Sequence, residues 1–133
     1  MNHKPKILLI DNEFIVAMDI GRCIEDAEFE VNICTSVKQA LETAEKYSFD
    51  IIVSDMNLQS EMTGLDVIAE IGKNSQLPPC IIITGYGDPE TLRKINKSGN
   101  VSALVLKPLF PVKLIEKIKK LILLAENPGQ RKP

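Results

Sequence analysis

Residues 50–58 read Asp-Ile-Ile-Val-Ser-Asp-Met-Asn-Leu, and the run they contain decides the fold. Ile51, Ile52 and Val53 are consecutive, apolar and β-branched, and the run ends at the acid Asp55. A strand open to water on one side alternates apolar and polar residues, whereas a continuous apolar run belongs to a strand covered on both faces of a parallel sheet. Working outward, runs of similar length recur, so strands are expected at Lys6–Ile10, Glu30–Ile33, Ile51–Ser54, Cys80–Thr84 and Ala103–Leu106. The gaps between them have helical period, which makes the chain a series of β/α units.

The helices carry their own start and stop signals. The first places Val16, Ile20, Cys23, Ile24 and Ala27 on one face, and the second opens with a capping box from Ser36 to Gln39 ahead of Val37, Ala40, Leu41 and Ala44. Thr63 caps the third (Leu65, Ile68, Ile71), Asp88 before Pro89 opens the fourth, and Gly99 closes it. The fifth starts near Pro111, turns Leu114, Ile115, Ile118, Leu121, Ile122 and Ala125 inward and Lys113, Lys117, Lys119 and Lys120 outward, and ends at Asn127-Pro128-Gly129. Five such units with right-handed crossovers predict an α/β, flavodoxin-like (βα)₅ fold, a parallel sheet in order 2-1-3-4-5 with helices on both faces.

A chain of 133 residues with 44% hydrophobic content holds one core. We expect one domain over residues 1–126 and a short polar tail over 127–133. No apolar run approaches the ~20 residues that span a membrane, and Asp11 interrupts the stretch after Lys4 and Lys6 too early for a secretory signal, so a cytoplasmic protein without membrane insertion is expected. Cys23, Cys34 and Cys80 lack CxxC spacing and lie in apolar segments, which suits small buried hydrophobes better than disulfides or zinc ligands; His3, near the terminus, is expected to be solvated. Residues 1–106 carry 9 Lys/Arg against 16 Asp/Glu, and residues 107–133 carry 7 against 2. The basic end is one face of the fifth helix with no interleaved aromatics, which argues against direct nucleic-acid binding.

In a sheet of this order ligands bind beyond the carboxyl ends of the strands, near the switch between strands 1 and 3. Those ends read Asp11-Asn12-Glu13, Asp55-Met56-Asn57, Thr84-Gly85 and Lys107-Pro108. Neighbouring strands are about 4.8 Å apart, so Asp11 and Asp55 converge, and like charges that close raise each other's pKa or recruit a cation. Mg²⁺, a hard ion that takes oxygen ligands, fits them. Phosphoryl transfer to a carboxylate asks chiefly for neutralised charge on the equatorial oxygens, which the Lys107 ammonium and the Thr84 hydroxyl can supply. Singly, an Asp at a strand end is usually a turn or cap and a Lys before Pro is usually solvated. Together, at successive strand ends, the set is specific.

From Lys6 to about Ala125 the chain resembles response-regulator receiver domains of two-component signalling. The likeness rests on KILLIDNE (6–13), DIIVSDMNL (50–58), IIITG (81–85) and LVLKP (104–108). It implies that Asp55 is the phosphoacceptor, with a Mg²⁺ ion held by Asp11, Asn12, Asp55 and the backbone carbonyl of Asn57. It also implies that Thr84 is the switch hydroxyl and Lys107 the phosphate-pairing lysine. The donor would be a histidine kinase or a phosphotransfer protein. Such a chain is a signalling receiver that promotes its own phosphorylation and dephosphorylation, not an enzyme acting on a separate substrate; its downstream protein partner is not legible.

Three departures narrow the resemblance. Asn12 stands where the family usually has an acid, Leu104 where many members carry a switching aromatic, and NLQSEMT (57–63) lacks the usual proline after Leu58. With Thr84-Gly85-Tyr86-Gly87, these features resemble the receivers with a TGY-type loop that pair with HWE-type kinases, and they move the expected switch to Thr84 and Tyr86. An FMN-binding flavodoxin would need a phosphate-binding loop where this chain has Asp-Asn-Glu. A dehalogenase-like phosphatase would need an Asp at position 57. A receiver-fold interaction module that takes no phosphoryl group stays open on Asn12 and Leu104.

Overall fold

The computed structural model describes residues 3–85 and 89–126. Strands and helices alternate as β1 (Lys6–Ile10), α1 (Phe14–Asp26), β2 (Glu30–Cys34), α2 (Val37–Lys46), β3 (Ile51–Asp55), α3 (Gly64–Asn74), β4 (Cys80–Thr84), α4 (Pro89–Lys97), β5 (Ala103–Leu106) and α5 (Pro111–Glu126). The five strands pair in the order β2-β1-β3-β4-β5, all parallel, as the sequence predicts. β2 and β3 each run one residue further than expected, because Cys34 pairs with Ile10 and Asp55 with Ile83 in neighbouring strands. The expectations for Tyr86, Gly87, Asp88 and the tail 127–133 lie outside the described residues.

Side chains alternate across each strand and so build two cores. Ile7, Leu9, Ile51, Val53, Ile81, Ile83 and Val105 meet Ile20 and Ile24 of α1 and Leu114 and Ile118 of α5. Leu8, Ile10, Ile52, Cys80 and Ile82 meet Ala40 of α2, Val67, Ile68 and Ile71 of α3 and Ile95 of α4. β1, β3 and β4 are therefore covered on both faces and carry continuous apolar runs, whereas β2, at the sheet edge, alternates exposed Glu30 and Asn32 with half-buried Val31 and Ile33.

Two helix faces differ from expectation. α1 buries Ala17, Ile20, Gly21 and Ile24, while Val16 is 40% exposed and Cys23 only half-buried. The inward face is set by the small residues: a Cβ on Gly21 would stand 2.6 Å from Ile33 Cδ1, so α1 lies against β2 where its side chains are smallest. In α5, Ala125 is exposed rather than inward, one residue from the end of the helix.

Caps follow the sequence more closely. Thr63 Oγ1 accepts from the Asp66 N–H at 3.2 Å, and Asp66 Oδ2 accepts from the Thr63 N–H at 2.9 Å, a complete capping box at the start of α3. At α2, Ser36 Oγ accepts from the Gln39 N–H at 3.1 Å, but Gln39 Oε1 takes the Thr35 N–H at 2.9 Å, one residue earlier than the expected box. Among the described residues no helix is long and apolar enough to cross a membrane.

The tight α1–β2 approach yields a graded expectation. Gly21→Leu should lower stability by about 1–3 kcal/mol through overpacking. Gly21→Ala should cost much less, since only the end of the Ile33 side chain must turn away. Urea melts of the two variants check the ranking.

Candidate functional site

Strand register and alternation bring the acids together. Ile10 of β1 pairs with Ser54 of β3, so Asp11 and Asp55 end adjacent strands at the same level. Counting by two from Leu9 and from Val53, both carboxylates fall on the α1/α5 side of the sheet, and from Val105 so does Lys107. The backbone is tied on each side of this cluster: the Asp11 N–H donates to the Cys34 carbonyl at 3.0 Å and the Met56 N–H to the Ile83 carbonyl at 2.8 Å. On β4, Thr84 follows Ile83, the partner of Asp55, and its carbonyl accepts the Lys107 N–H at 2.7 Å.

The carboxylates are nearly closed off from water, with Asp11 and Asp55 each 4% exposed. Asp55 is held at both oxygens. Lys107 Nζ donates to Oδ2 at 2.8 Å, and the Asn57 N–H donates to Oδ1 at 3.1 Å. A buried carboxylate with one charged and one neutral donor is compensated without being sealed, because the lysine arrives from a partly exposed stem. Asp11 has less support: its Oδ1 accepts the Glu13 N–H at 2.9 Å.

The charge balance follows from these contacts. Burial pushes the Asp11 carboxyl above its ordinary value; the Glu13 N–H pulls it down, the charge of Asp55 pushes it up and Lys107 pulls it down, with a net rise. Burial pulls the Lys107 ammonium down, but its hydrogen bond to Asp55 and the charges of Asp55, Asp11 and Glu13 outweigh this and leave its pKa raised. Lys107 is thus a fixed cation at neutral pH, and Asp11 is the acid whose charge is disfavoured, first by burial and then by Asp55.

Of the expected site residues, the structure brings Asp11, Asp55, Thr84 and Lys107 to one edge, three of them buried. Asn12 follows Asp11 and is half-buried. Asn57 enters first through its N–H on Asp55, while its side-chain oxygen accepts the Gln59 N–H at 2.9 Å and so serves the loop. The oxygens available to a cation are two carboxylates and neutral donors; among the described residues no group of three or more His, Cys, Asp or Glu is placed to hold a metal. Cys80 and Cys34 are poor thiolate nucleophiles, since burial pushes Cys80 up to about 12 and raises Cys34 as well.

Sequence reasoning missed Ser54 and Gly64, which pack against the Asp55 backbone. The signal for Gly64 was its place as the first residue of α3, where glycine has no helix-capping advantage and another reason for it is needed.

A family model described as the response regulator receiver domain matches residues 7–119. Among curated proteins, the probable transcriptional regulator ycf29 of Pyropia yezoensis is 30% identical over 119 residues, which cover 88% of this chain and 53% of that protein. The alginate biosynthesis transcriptional regulatory protein AlgB of Pseudomonas aeruginosa is 30% identical over 109 residues, 82% of this chain and 24% of that one. The chain thus spans about half the length of the first and about a quarter of the second. Among solved structures, a CheY-like response regulator receiver domain protein from Methanospirillum hungatei JF-1 superposes with a TM-score of 0.86 at 24% identity, over 96% of this chain and 100% of that one. The last likeness bears on the fold alone.

Asp11 supplies a pH prediction. A carboxyl whose folded pKa is raised destabilises the folded state when ionised, and the penalty fades as pH falls through the folded pKa toward the unfolded one. Asn at position 11 keeps an oxygen for the Glu13 N–H and removes the charge. Metal-free Asp11→Asn should therefore be more stable than wild type at neutral pH by roughly 1 kcal/mol, with the gap narrowing toward pH 4. Thermal melts in EDTA across this range measure it.

Proposed function

Because the chain belongs to the response regulator receiver domain family over residues 7–119, we propose that Asp55 accepts a phosphoryl group from a histidine kinase or a phosphotransfer protein and passes the signal on by a change of conformation. The observation that carries this reading is the setting of Asp55, buried beside Asp11 with the Lys107 ammonium 2.8 Å from one of its oxygens. Residues 1–126 are then the receiver unit and 127–133 its polar tail.

The residues divide the work. An Asp55 oxygen forms the new O–P bond as the donor's N–P bond breaks and its imidazole leaves. The Lys107 ammonium, whose side chain is 41% exposed, has room to follow the charge from Asp55 Oδ2 to a phosphoryl oxygen. The Thr84 hydroxyl donates to a second. The site has hard oxygen donors only, and two of them repel, which suits Mg²⁺ held by Asp11, Asn12, Asp55 and the Asn57 carbonyl. Bound there, the ion would neutralise charge on the group being transferred. The chain promotes its own phosphorylation and dephosphorylation and turns over no separate substrate, a role that belongs in the cytoplasm.

Leu104 is half-buried on β5 and offers no ring to switch, so the response is assigned to Thr84 and to Tyr86, which lies outside the described residues. The Thr84-Gly85-Tyr86-Gly87 run makes an HWE-type kinase the proposed donor, on the sequence motif alone. Large apolar side chains stand exposed next to the site in sequence: Phe14, Ile15 and Met18 after the Asp11 turn, and Leu106, Phe110 and Val112 around Lys107. Exposed apolar residues grouped this way suit a protein donor better than a small molecule. The transcriptional regulatory roles named for the longer relatives are theirs, and this chain is proposed to act through protein contacts.

Intact-mass measurement after acetyl phosphate and Mg²⁺ tests the assignment. One phosphoryl group should appear on wild type, none on Asp55→Asn, and none in EDTA; equal labelling of the variant would overturn it. The apolar surface has a separate test. Ile15→Ser and Phe110→Ser should slow transfer from a phosphorylated histidine kinase by about tenfold or more while acetyl phosphate labelling stays within about twofold.

A further inference from the structure

Among the described residues the buried polar or charged side chains are Asp11, Ser54, Asp55 and Thr84. Three have a part in the proposed chemistry, and Ser54 has none. It is wholly buried, and alternation from Ile52 turns it toward α3, away from the carboxylates. A hydroxyl in that position costs stability unless it is hydrogen-bonded, and its bond is specific: Oγ donates to the carbonyl oxygen of Asp55 at 2.9 Å.

The same carbonyl is approached by the start of α3. A Cβ on Gly64 would overlap the Asp55 carbonyl oxygen and stand 2.9 Å from Ser54 Oγ, so only glycine lets the helix come this close. The Gly64 N–H in turn donates to the Met56 carbonyl at 2.9 Å, and the Met56 N–H donates to Ile83 at 2.8 Å. Two consecutive peptide groups after Asp55 are thus tied to a side chain, a helix start and a neighbouring strand. The second of these peptides also carries the Asn57 N–H, which holds Asp55 Oδ1 at 3.1 Å.

We infer that Ser54 is a positioning residue for Asp55: its hydroxyl, seated in the space left by Gly64, fixes the peptides that aim the Asn57 N–H at the carboxylate. Ser54 touches neither metal nor phosphoryl group and acts through Asn57. The inference rests on the phosphoacceptor reading for its effect on rate, and on geometry alone for its effect on the Asn57 hydrogen bond. Small displacements of a reacting group lower rates without unfolding the protein.

Two measurements on the full chain separate positioning from stability. In Ser54→Ala, acetyl phosphate labelling of the folded protein at saturating Mg²⁺ should slow roughly three- to tenfold. The Asn57 amide proton should shift upfield in metal-free NMR spectra, as its bond to Asp55 loosens. Gly64→Ala pushes on the same carbonyl from the helix side and should give the same pair of changes. A lower melting temperature with unchanged labelling rate and an unmoved Asn57 resonance would overturn the inference. Should wild type take no phosphoryl group at all, the phosphoacceptor reading falls, and the Asn57 resonance decides the positioning by itself.

Discussion

Two carboxylates at adjacent strand ends, each 4% exposed, set the terms for everything around them. Water would screen such a pair on the surface, but the pocket keeps it out, and the burden falls on fixed partners. Lys107 takes most of it through Asp55, and the residual strain shows in the raised pKa of Asp11. A metal-free protein in this condition is one cation short. That shortage is what a divalent ion would relieve.

The fold is arranged to hold this pair without softening it. β1 and β3 are the central neighbours of the sheet, flanked by β2 and β4, so neither acid sits on a frayed edge. β1 is apolar from Ile7 to Ile10, β3 from Ile51 to Val53 and β4 from Cys80 to Ile83, and both cores end near where the charges begin. Backbone bonds from β2 to Asp11 and from β4 to Met56 pin the two acids from outside, while α3 closes on the peptides after Asp55. The enclosure of the acids contrasts with the partly exposed side chain of Lys107, their charged partner.

Much of this was legible in the sequence, for a physical reason. A strand covered on both sides must be apolar throughout, so Ile51–Val53 and Ile81–Ile83 announce the buried centre of the sheet, and polar residues that end such runs must lie at its carboxyl edge. Asp11, Asp55, Thr84 and Lys107 were found that way. The inward face of α1 was legible in Ile20, Ile24 and Ala27 but not in Ala17 and Gly21, because periodicity weighs large apolar residues, and α1 comes close to β2 at Gly21. Nor were the Asn57 N–H, Ser54 and Gly64, whose importance comes from contacts between a strand end and a helix start nine residues on in the case of Asp55 and Gly64. A backbone donor leaves no mark on residue type, and a serine among isoleucines reads as a break in pattern until its acceptor is known.

The central claim is that the charge imbalance at Asp11 and Asp55 is the binding site. A crystal structure grown with Mg²⁺ and beryllofluoride, a stable mimic of the phosphoryl group, tests it most directly. The account predicts beryllium on an Asp55 oxygen, a cation in contact with Asp11, Asp55 and the Asn57 carbonyl, and Lys107 Nζ moved from Asp55 Oδ2 to a fluoride. An unmodified Asp55 that keeps its bond to Lys107, with no cation beside Asp11, would contradict it.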